Sequence, residues 1–242
     1  LGQINCVVGD LHGNCSKMLE YAETARASGA DIIAFPELAV TGYPPEDLLL
    51  KPKFVEDNLR ALNNFARSTE DIVVIAGFVN ISDGNLYNAA AVIFQGEIKG
   101  ICHKTFLPNY GVFDEKRYFK AGNKPFVFNC GNVMFGVSIC EDIWHKEGPA
   151  KAQVKNGARI IFNINASPYH AGKIRLREKI VTMLAIDNHV PVVYTNLVGG
   201  QDELVFDGRS FVVDAKGKVI AKASAFEEDL LLVDIPVTNG DR

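Results

Sequence analysis

The stretch Val133–Trp144, VMFGVSICEDIW, decides how this chain is read. A mostly apolar run of buried-strand character leads straight into a cysteine, two carboxylates and the start of a helix. A thiol delivered to the end of a strand by such an elbow stands where nucleophiles stand in α/β hydrolases, held on a sharp turn and aimed into a cleft. The reading is an α/β fold with Cys140 as candidate nucleophile.

Working outward, strand patterns alternate with helical ones. Residues 2–8 read as strand, and 14–28 as a helix with Asn14 as its cap and Gly29 closing it. A short buried strand at 31–35 leads into a Pro-rich loop, and a helix follows at 53–67. Strands are expected at 72–79, 87–94 and 97–103, the last two joined at Gln95 and Gly96. Beyond a long loop at 104–125 come strands at 126–129 and 132–139, the elbow, a helix from about 141, and a strand at 159–164. Leu176, Ile180, Met183 and Leu184 give residues 173–189 helical spacing and a face to lay on a sheet. Strands near 191–196, 209–213, 218–222 and 230–235 complete the pattern. Sheets covered by helices follow from this order.

With 242 residues and 48% hydrophobic content, the chain buries a large core and reads as one domain. A net charge of −4 leaves no electrostatic footprint for nucleic acid or an anionic membrane, which favours a small-molecule substrate. Five cysteines with no paired spacing argue for a reducing compartment rather than a disulfide framework. No apolar stretch is long enough to span a bilayer, and Gln3 and Asn5 interrupt any signal-like start, so the expected location is cytoplasmic. The chain opens at Leu1 without a methionine, so the start of the first strand is expected upstream.

Two further runs supply what a lone cysteine lacks. Asp31–Leu49, DIIAFPELAVTGYPPEDLL, places Glu37 just beyond an apolar strand. Gly96–Phe119, GEIKGICHKTFLPNYGVFDEKRYF, places Lys104 at the end of another. A thiol of ordinary pKa is mostly protonated at neutral pH and needs a neighbouring base or cation. Glu37 is the candidate general base, Lys104 the candidate cation, and the chemistry they suggest is attack on a carboxamide. Taken singly, each residue has a plainer explanation in a buried thiol, a solvated lysine or a pairing glutamate.

In this set the chain resembles the nitrilase superfamily of carbon–nitrogen hydrolases, whose catalytic residues are a Glu, a Lys and a Cys in that order. The resemblance spans essentially the whole chain and implies an α-β-β-α sandwich of two packed sheets covered by helices. The runs ELAVTGYPPEDLL, KTFLPNYGVFDEKRYF, ICEDIW, NASPYHAGK and NLVGGQDELVFDGRS are similar to the glutaminase domain of glutamine-dependent NAD synthetases. That similarity implies glutamine hydrolysis through a Cys thioester, with Tyr110, Ser167 and Lys173 at the glutamine-binding positions. It also implies a partner synthetase domain and a homo-oligomer. Glu115 matches a second glutamate of the superfamily set, orienting Lys104 or sharing proton transfer; pairing with Lys116 or Arg117 is the alternative. Phe113 and Trp144 are candidates for the pocket wall.

No pyrophosphatase loop of the SGGxDS type occurs, so 1–242 is expected to be the amide-hydrolysing domain alone. It needs no cofactor or metal, and ATP and Mg belong to the missing synthetase domain. Gly199 and Gly200 lack a phosphate-loop context and read as a flexible loop over the site or against a partner domain. His103 would form a papain-like dyad with Cys140, but neighbouring strand residues point opposite ways, and Lys104 is the better placed of the two. His12 and Cys15 lack a second ligand pair, and Cys6, Cys15, Cys102 and Cys130 read as packing residues. A free-standing amidase acting on another small ω-amide, and a catalytically silent assembly domain, are the competing readings.

Overall fold

The computed structural model describes residues 1–237. In chain order the elements are β1 (Gly2–Gln3), α1 (Leu11–Ala27), β2 (Ile32–Ala34), α2 (Pro52–Arg67), β3 (Val73–Ser82), β4 (Asn85–Phe94) and β5 (Glu97–His103). Next come β6 (Val127–Cys130), β7 (Val133–Ile139), α3 (Pro149–Lys155), β8 (Ile160–Asn165), α4 (Lys173–Asn188) and β9 (Val192–Asn196). The last elements are β10 (Val198–Gln201), β11 (Leu204–Asp207), β12 (Phe211–Val213), β13 (Val219–Lys222) and β14 (Asp229–Leu230).

Two sheets carry the fold. One has the order β2-β3-β4-β5, the other β13-β12-β9-β8-β7-β6. Strand alternation sorts their side chains into three apolar layers. Val73 and Ile75 of β3 face Phe135, Val137 and Ile139 of β7 and Phe162 of β8, filling the space between the sheets. Val74, Ala76 and Phe78 point the other way, onto Met18 and Ala22 of α1 and Leu62 and Phe65 of α2. On the far side Ile161, Val192 and Phe211 pack against Val181 and Ala185 of α4. The result is the α-β-β-α sandwich expected from the sequence. Each fully buried Val, Ile or Phe contributes roughly 1.5–3 kcal/mol to it.

The layering also places the site. Strand β2 runs parallel to β3, and β5 has the same direction because β4 is antiparallel to both of its neighbours. Strands β7, β8 and β9 are mutually parallel. Glu37, Lys104, Cys140 and Ser167 therefore all lie just past the C-terminal ends of strands.

Several local expectations are corrected. Helix α1 starts at Leu11, capped by Asp10, whose Oδ1 accepts from the Gly13 N–H at 2.9 Å. Asn14, expected as the cap, is buried inside the first turns and bonds the backbone of Val7 and Val40. The strand expected over 2–8 shrinks to β1 because side chains take the later N–H groups: Asn5 donates to Glu228 and Val7 to Asn14. At the other end, the strand is only Asp229–Leu230, with one more exchange of bonds between Leu231 and Leu1, where a strand was expected to 235. No helix continues from 141. A 3-10 turn at Cys140–Trp144 ends, and α3 begins only at Pro149, where the fixed φ of proline suits a first helical position. The Gly199–Gly200 segment is a paired hairpin, β10 with β11, rather than a loop.

Helix α4 keeps only part of the expected face: Ile180 and Leu184 pack on the sheet as expected, Leu176 and Met183 do not. Its buried residues are Arg177, Val181 and Ala185, while Leu176 and Met183 are 48% and 52% exposed. An arginine occupies the inward stripe because polar groups wait for it there, as the site shows.

Gly77 of β3 illustrates how tightly the sheet supports the Glu37 segment. Its carbonyl accepts from the Val40 N–H at 3.0 Å, and a Cβ there would run into the backbone of Pro36 and Leu38 and lie 2.8 Å from the Glu37 carbonyl carbon. Gly77→Ala is therefore expected to destabilise the fold by about 1–3 kcal/mol and to displace Glu37. Urea unfolding alongside an activity assay checks this; wild-type behaviour in both would mean the loop is not seated as described.

Candidate active site

Three buried side chains form the centre. Lys104 Nζ donates to Glu37 Oε1 and to Glu115 Oε1, each at 2.7 Å, and the side chains of Lys104 and Glu37 are fully buried. Glu37 Oε1 also accepts from Asn88 Nδ2 at 2.7 Å, and its Oε2 accepts from the Ala166 N–H at 2.9 Å. Tyr43 donates to Glu115 Oε1 at 3.3 Å. A buried lysine would ordinarily lose its proton more easily. Here Glu115 and Glu37 outweigh burial and hold the ammonium well above its usual value. Burial pushes the Glu115 carboxyl up to about 7, against the opposing pull of Lys104.

Cys140 sits at the turn with φ +42°, a conformation that L-residues rarely adopt. Strain at this residue is what presents the thiol at the end of β7 rather than in its ladder. Burial pushes the thiol well above its ordinary value. Glu37 and Glu115 add to the shift, and Lys104 opposes it. Burial and the two glutamates thus favour the protonated thiol.

Asp142 ties the elbow to the lysine segment. Its Oδ1 accepts from the N–H groups of Thr105 and Phe106 at 3.0 and 2.9 Å, and its Oδ2 accepts from the Ile139 N–H at 3.1 Å. Burial raises this carboxyl to about 6, against those three donors. One carboxylate thus fixes the chain on both sides of the centre, at the residues just after Lys104 and just before Cys140.

A cleft of about 570 Å³ opens onto Cys140, lined by Tyr110, Phe113, Trp144, Ser167, Lys173 and Leu176. Glu141 lies in it as well, accepting from the Tyr110 hydroxyl at 2.9 Å. Burial, then the bond to Glu141, raises the Tyr110 phenol to about 12. Lys173, the first residue of α4, has its pKa lowered by burial and by Arg177. The cleft therefore offers a cation, a carboxylate and hydroxyls a short way from a thiol.

All seven site residues expected from the sequence fall into this one region. Glu115 is bound to Lys104, not to Lys116 or Arg117. His103 faces elsewhere, stacked on Tyr87 at 4.0 Å and bonded to Asn80. Cys6, Cys15 and Cys102 are core residues whose thiols burial pushes up, to about 12 for Cys15 and Cys102. Among the described residues, no group of three or more His, Cys, Asp or Glu side chains has metal-binding proximity. No helix among them is long and apolar enough to cross a membrane.

Sequence reasoning missed Glu141, Asp142, Asn88, Tyr43 and Arg177. The first two were visible as carboxylates directly following Cys140. Asn88 and Arg177 gave no signal, because a polar residue inside an apolar strand or helix declares its partner only in three dimensions.

Residues 1–240 match the carbon-nitrogen hydrolase family. The chain is 49% identical over 238 residues to the glutamine-dependent NAD(+) synthetase of Thermotoga maritima, covering 97% of this chain and 41% of that protein. It is 46% identical over 248 residues to that of Aquifex aeolicus, covering 100% and 43%. It thus spans less than half the length of these relatives. The structure of glutamine-dependent NAD+ synthetase from Acinetobacter baumannii superposes with a TM-score of 0.91 at 43% identity, over 95% of this chain and 43% of that one. An amidase of the nitrilase superfamily from Nesterenkonia shares the fold at 23% identity, with a TM-score of 0.84 over 94% and 86% of the two chains.

This preference for the protonated thiol has a measurable consequence. In the difference between the ultraviolet absorbance of the native chain and of Cys140→Ser, the thiolate signal is expected to stay absent through neutral pH and to appear only above the ordinary thiol value of 9.0. A titration centred near pH 6 or 7 would mean that Lys104 wins over burial and the two glutamates.

Proposed function

The chain belongs to the carbon–nitrogen hydrolase family, and on that premise we propose that it hydrolyses glutamine to glutamate and ammonia, the ammonia serving an ATP-dependent NAD synthetase unit that converts deamido-NAD to NAD. The observation that carries the reading is the placement of Cys140 beside the buried Glu37–Lys104–Glu115 cluster, in a cleft that also holds Lys173 and Glu141. Glutamine brings a carboxamide for the first set. Its α-carboxylate and α-ammonium suit Lys173 and Glu141.

The chemistry follows from the hydrogen-bond inventory. Three bonds already fall on Glu37, two on Oε1 and one on Oε2, which leaves a lone pair of Oε2 for the thiol proton. As Glu37 takes that proton, the sulfur attacks the carboxamide carbon and the carbonyl π pair moves onto oxygen. Lys104 has three N–H groups and uses two on Glu37 and Glu115, so the third serves the developing oxyanion, together with a backbone N–H of the turn after Cys140. Collapse of the tetrahedral species breaks the C–N bond, and Glu37 returns the proton to the departing ammonia. Water, deprotonated by Glu37, then attacks the thioester and releases glutamate and the thiol. Glu115 holds the lysine in place throughout.

Tyr110, Ser167 and Lys173 bind the amino-acid end of the substrate, Lys173 taking the α-carboxylate. The unit acts beside a synthetase domain of the kind named in its relatives, which would supply the ATP and Mg sites, within a homo-oligomeric, cytoplasmic enzyme.

The direct test is ammonia release from glutamine. Cys140→Ala is expected to abolish it, and a glutamine-like electrophile to label Cys140 while sparing the other four cysteines; labelling concentrated on Cys102 or Cys130 would remove Cys140 from the mechanism. Lys104→Ala is expected to lower kcat by roughly 10² to 10³ with little change in glutamine affinity, the effect of losing one oxyanion donor. Lys173→Ala is expected to raise KM for glutamine far more than for a plain amide, because its contact exists before the transition state and persists through it. Equal effects on both substrates would make Lys173 structural. Hydrolysis of small ω-amides with no preference for glutamine would favour a free-standing amidase.

A further inference from the structure

Arg177 is among the most deeply buried side chains of the molecule, 1% exposed, and the reaction as derived above does not use it. Burying a guanidinium is expensive unless every donor finds a partner. Here the partners are specific. Nη1 donates to Asp207 Oδ1 at 2.6 Å, and Nη2 to the carbonyls of Ser167 and Pro168 at 2.6 and 2.8 Å. Nε donates to Ser167 Oγ at 3.2 Å.

The last of these bonds constrains Ser167. A hydroxyl has one proton to donate and two lone pairs to accept with. Arginine can only donate, so the contact with Arg177 occupies a lone pair of Oγ and leaves the Ser167 proton to be given to something else. The remaining groups of Ser167 are already committed. Its N–H donates to Asn196 Oδ1 at 2.9 Å, and its carbonyl accepts from Arg177 and, at 3.3 Å, from Asn196 Nδ2. The buried Tyr194 hydroxyl faces Ser167 and has no other partner, so its proton is offered to the second lone pair of Ser167 Oγ, which again leaves the Ser167 proton to be given elsewhere. What remains is the cleft, which Ser167 lines together with Lys173.

We propose that Arg177 is a positioning residue that turns Ser167 into a dedicated donor to the substrate α-carboxylate, and so sets the preference for an α-amino-acid amide over a plain amide. The inference rests on the glutaminase reading and adds to it the origin of substrate choice. Lys173 lies one helical turn before Arg177 on α4, so the same helix delivers the cation that meets the carboxylate and the guanidinium that aims the hydroxyl. Asp207 neutralises Arg177, so its contribution is geometric rather than one of net charge. A lysine would keep the charge but lose the planar fork that holds Oγ and two carbonyls at once.

The test compares glutamine with 4-aminobutanamide, which is glutamine without its α-carboxylate. The full chain is prepared as wild type, Arg177→Lys, Ser167→Ala and the double variant, with melting temperatures recorded for each. Arg177→Lys is expected to reduce the ratio of kcat/KM for glutamine to that for 4-aminobutanamide by about 10-fold or more, through KM, the scale of losing a hydrogen bond to a charged group. In the Ser167→Ala background the same substitution is expected to leave the ratio where Ser167→Ala alone puts it, because the two act through one contact. An unchanged ratio in Arg177→Lys, or a full-sized additional drop in the double variant, overturns the proposal. Should Arg177→Lys fail to fold, Asp207→Asn loosens the guanidinium while keeping it, and is expected to shift the ratio in the same direction by a smaller factor; no shift overturns the proposal. A wild type with no preference for glutamine sinks the glutaminase reading itself, a result distinct from a wild type that prefers glutamine and variants that keep the preference.

Discussion

One ammonium between two carboxylates, all out of contact with water, is the constraint on which the rest of the molecule depends. Lys104 is held at 2.7 Å from both Glu37 and Glu115 in the interior of the protein. Each charge loses several kcal/mol of hydration on burial. That loss is tolerable only if the surrounding backbone and side chains supply nearly every hydrogen bond that water would have made. Asn88, Ala166 and Tyr43 supply three of them, each from a different part of the chain, and leave Glu115 Oε2 as the one carboxylate oxygen of the cluster without a partner. The cluster can exist only when the whole sandwich is assembled around it.

The two sheets divide the work accordingly. The four-stranded sheet delivers Glu37 and Lys104, the six-stranded one Cys140 and the Ala166–Ser167 segment, and the apolar layer between them keeps the delivered ends together. Contacts inside a single sheet would not hold Glu37 and Cys140 in register, since sheets packed face to face can slide. Two polar links oppose such sliding. Ala166 of the second sheet donates to Glu37 of the first, and Asp142 of the elbow accepts from Thr105 and Phe106 beyond the first sheet's last strand. Together they fix the Glu37 segment and the Cys140 elbow relative to each other.

Much of this was legible in the sequence, and what was not has a common cause. Apolar runs with strand period located the long strands to within a few residues, because burial of alternate side chains is a local signature. The elbow, Glu37 and Lys104 were legible because each follows such a run. Strand ends failed where side chains replaced ladder partners, as Asn14 and Glu228 do near β1. The face of α4 failed in part, for a related reason. Apolar spacing ranked Leu176 and Met183 as inward, yet the stripe that turns in begins with Arg177, since Asp207 and the 167–168 carbonyls offer it more than a leucine would gain. Apolar periodicity reports the average solvent, and a buried polar network is a local exception to it.

Two sets of charges stand around the thiol, and their depths suit different tasks. The inner set, Lys104 with its glutamates, is sealed from water, where an ion's field is strong and its position is fixed in advance of the reaction. The outer set, Lys173 and Glu141, lines an open cleft, where water weakens each charge, a depth at which the proposed zwitterionic substrate would enter without first losing all its hydration. For the proposed reaction, recognition charges at the depth of Lys104 would demand that the ligand's own charges be desolvated on entry, which costs more than the pairing returns. A proposed reacting set at the rim would leave the oxyanion competing with water for its donors. The thiol sits at the boundary between the two depths, where burial, with Glu37 and Glu115 adding to it, favours its protonated form, and where the proposed reaction would bring the carboxamide within reach of the inner set.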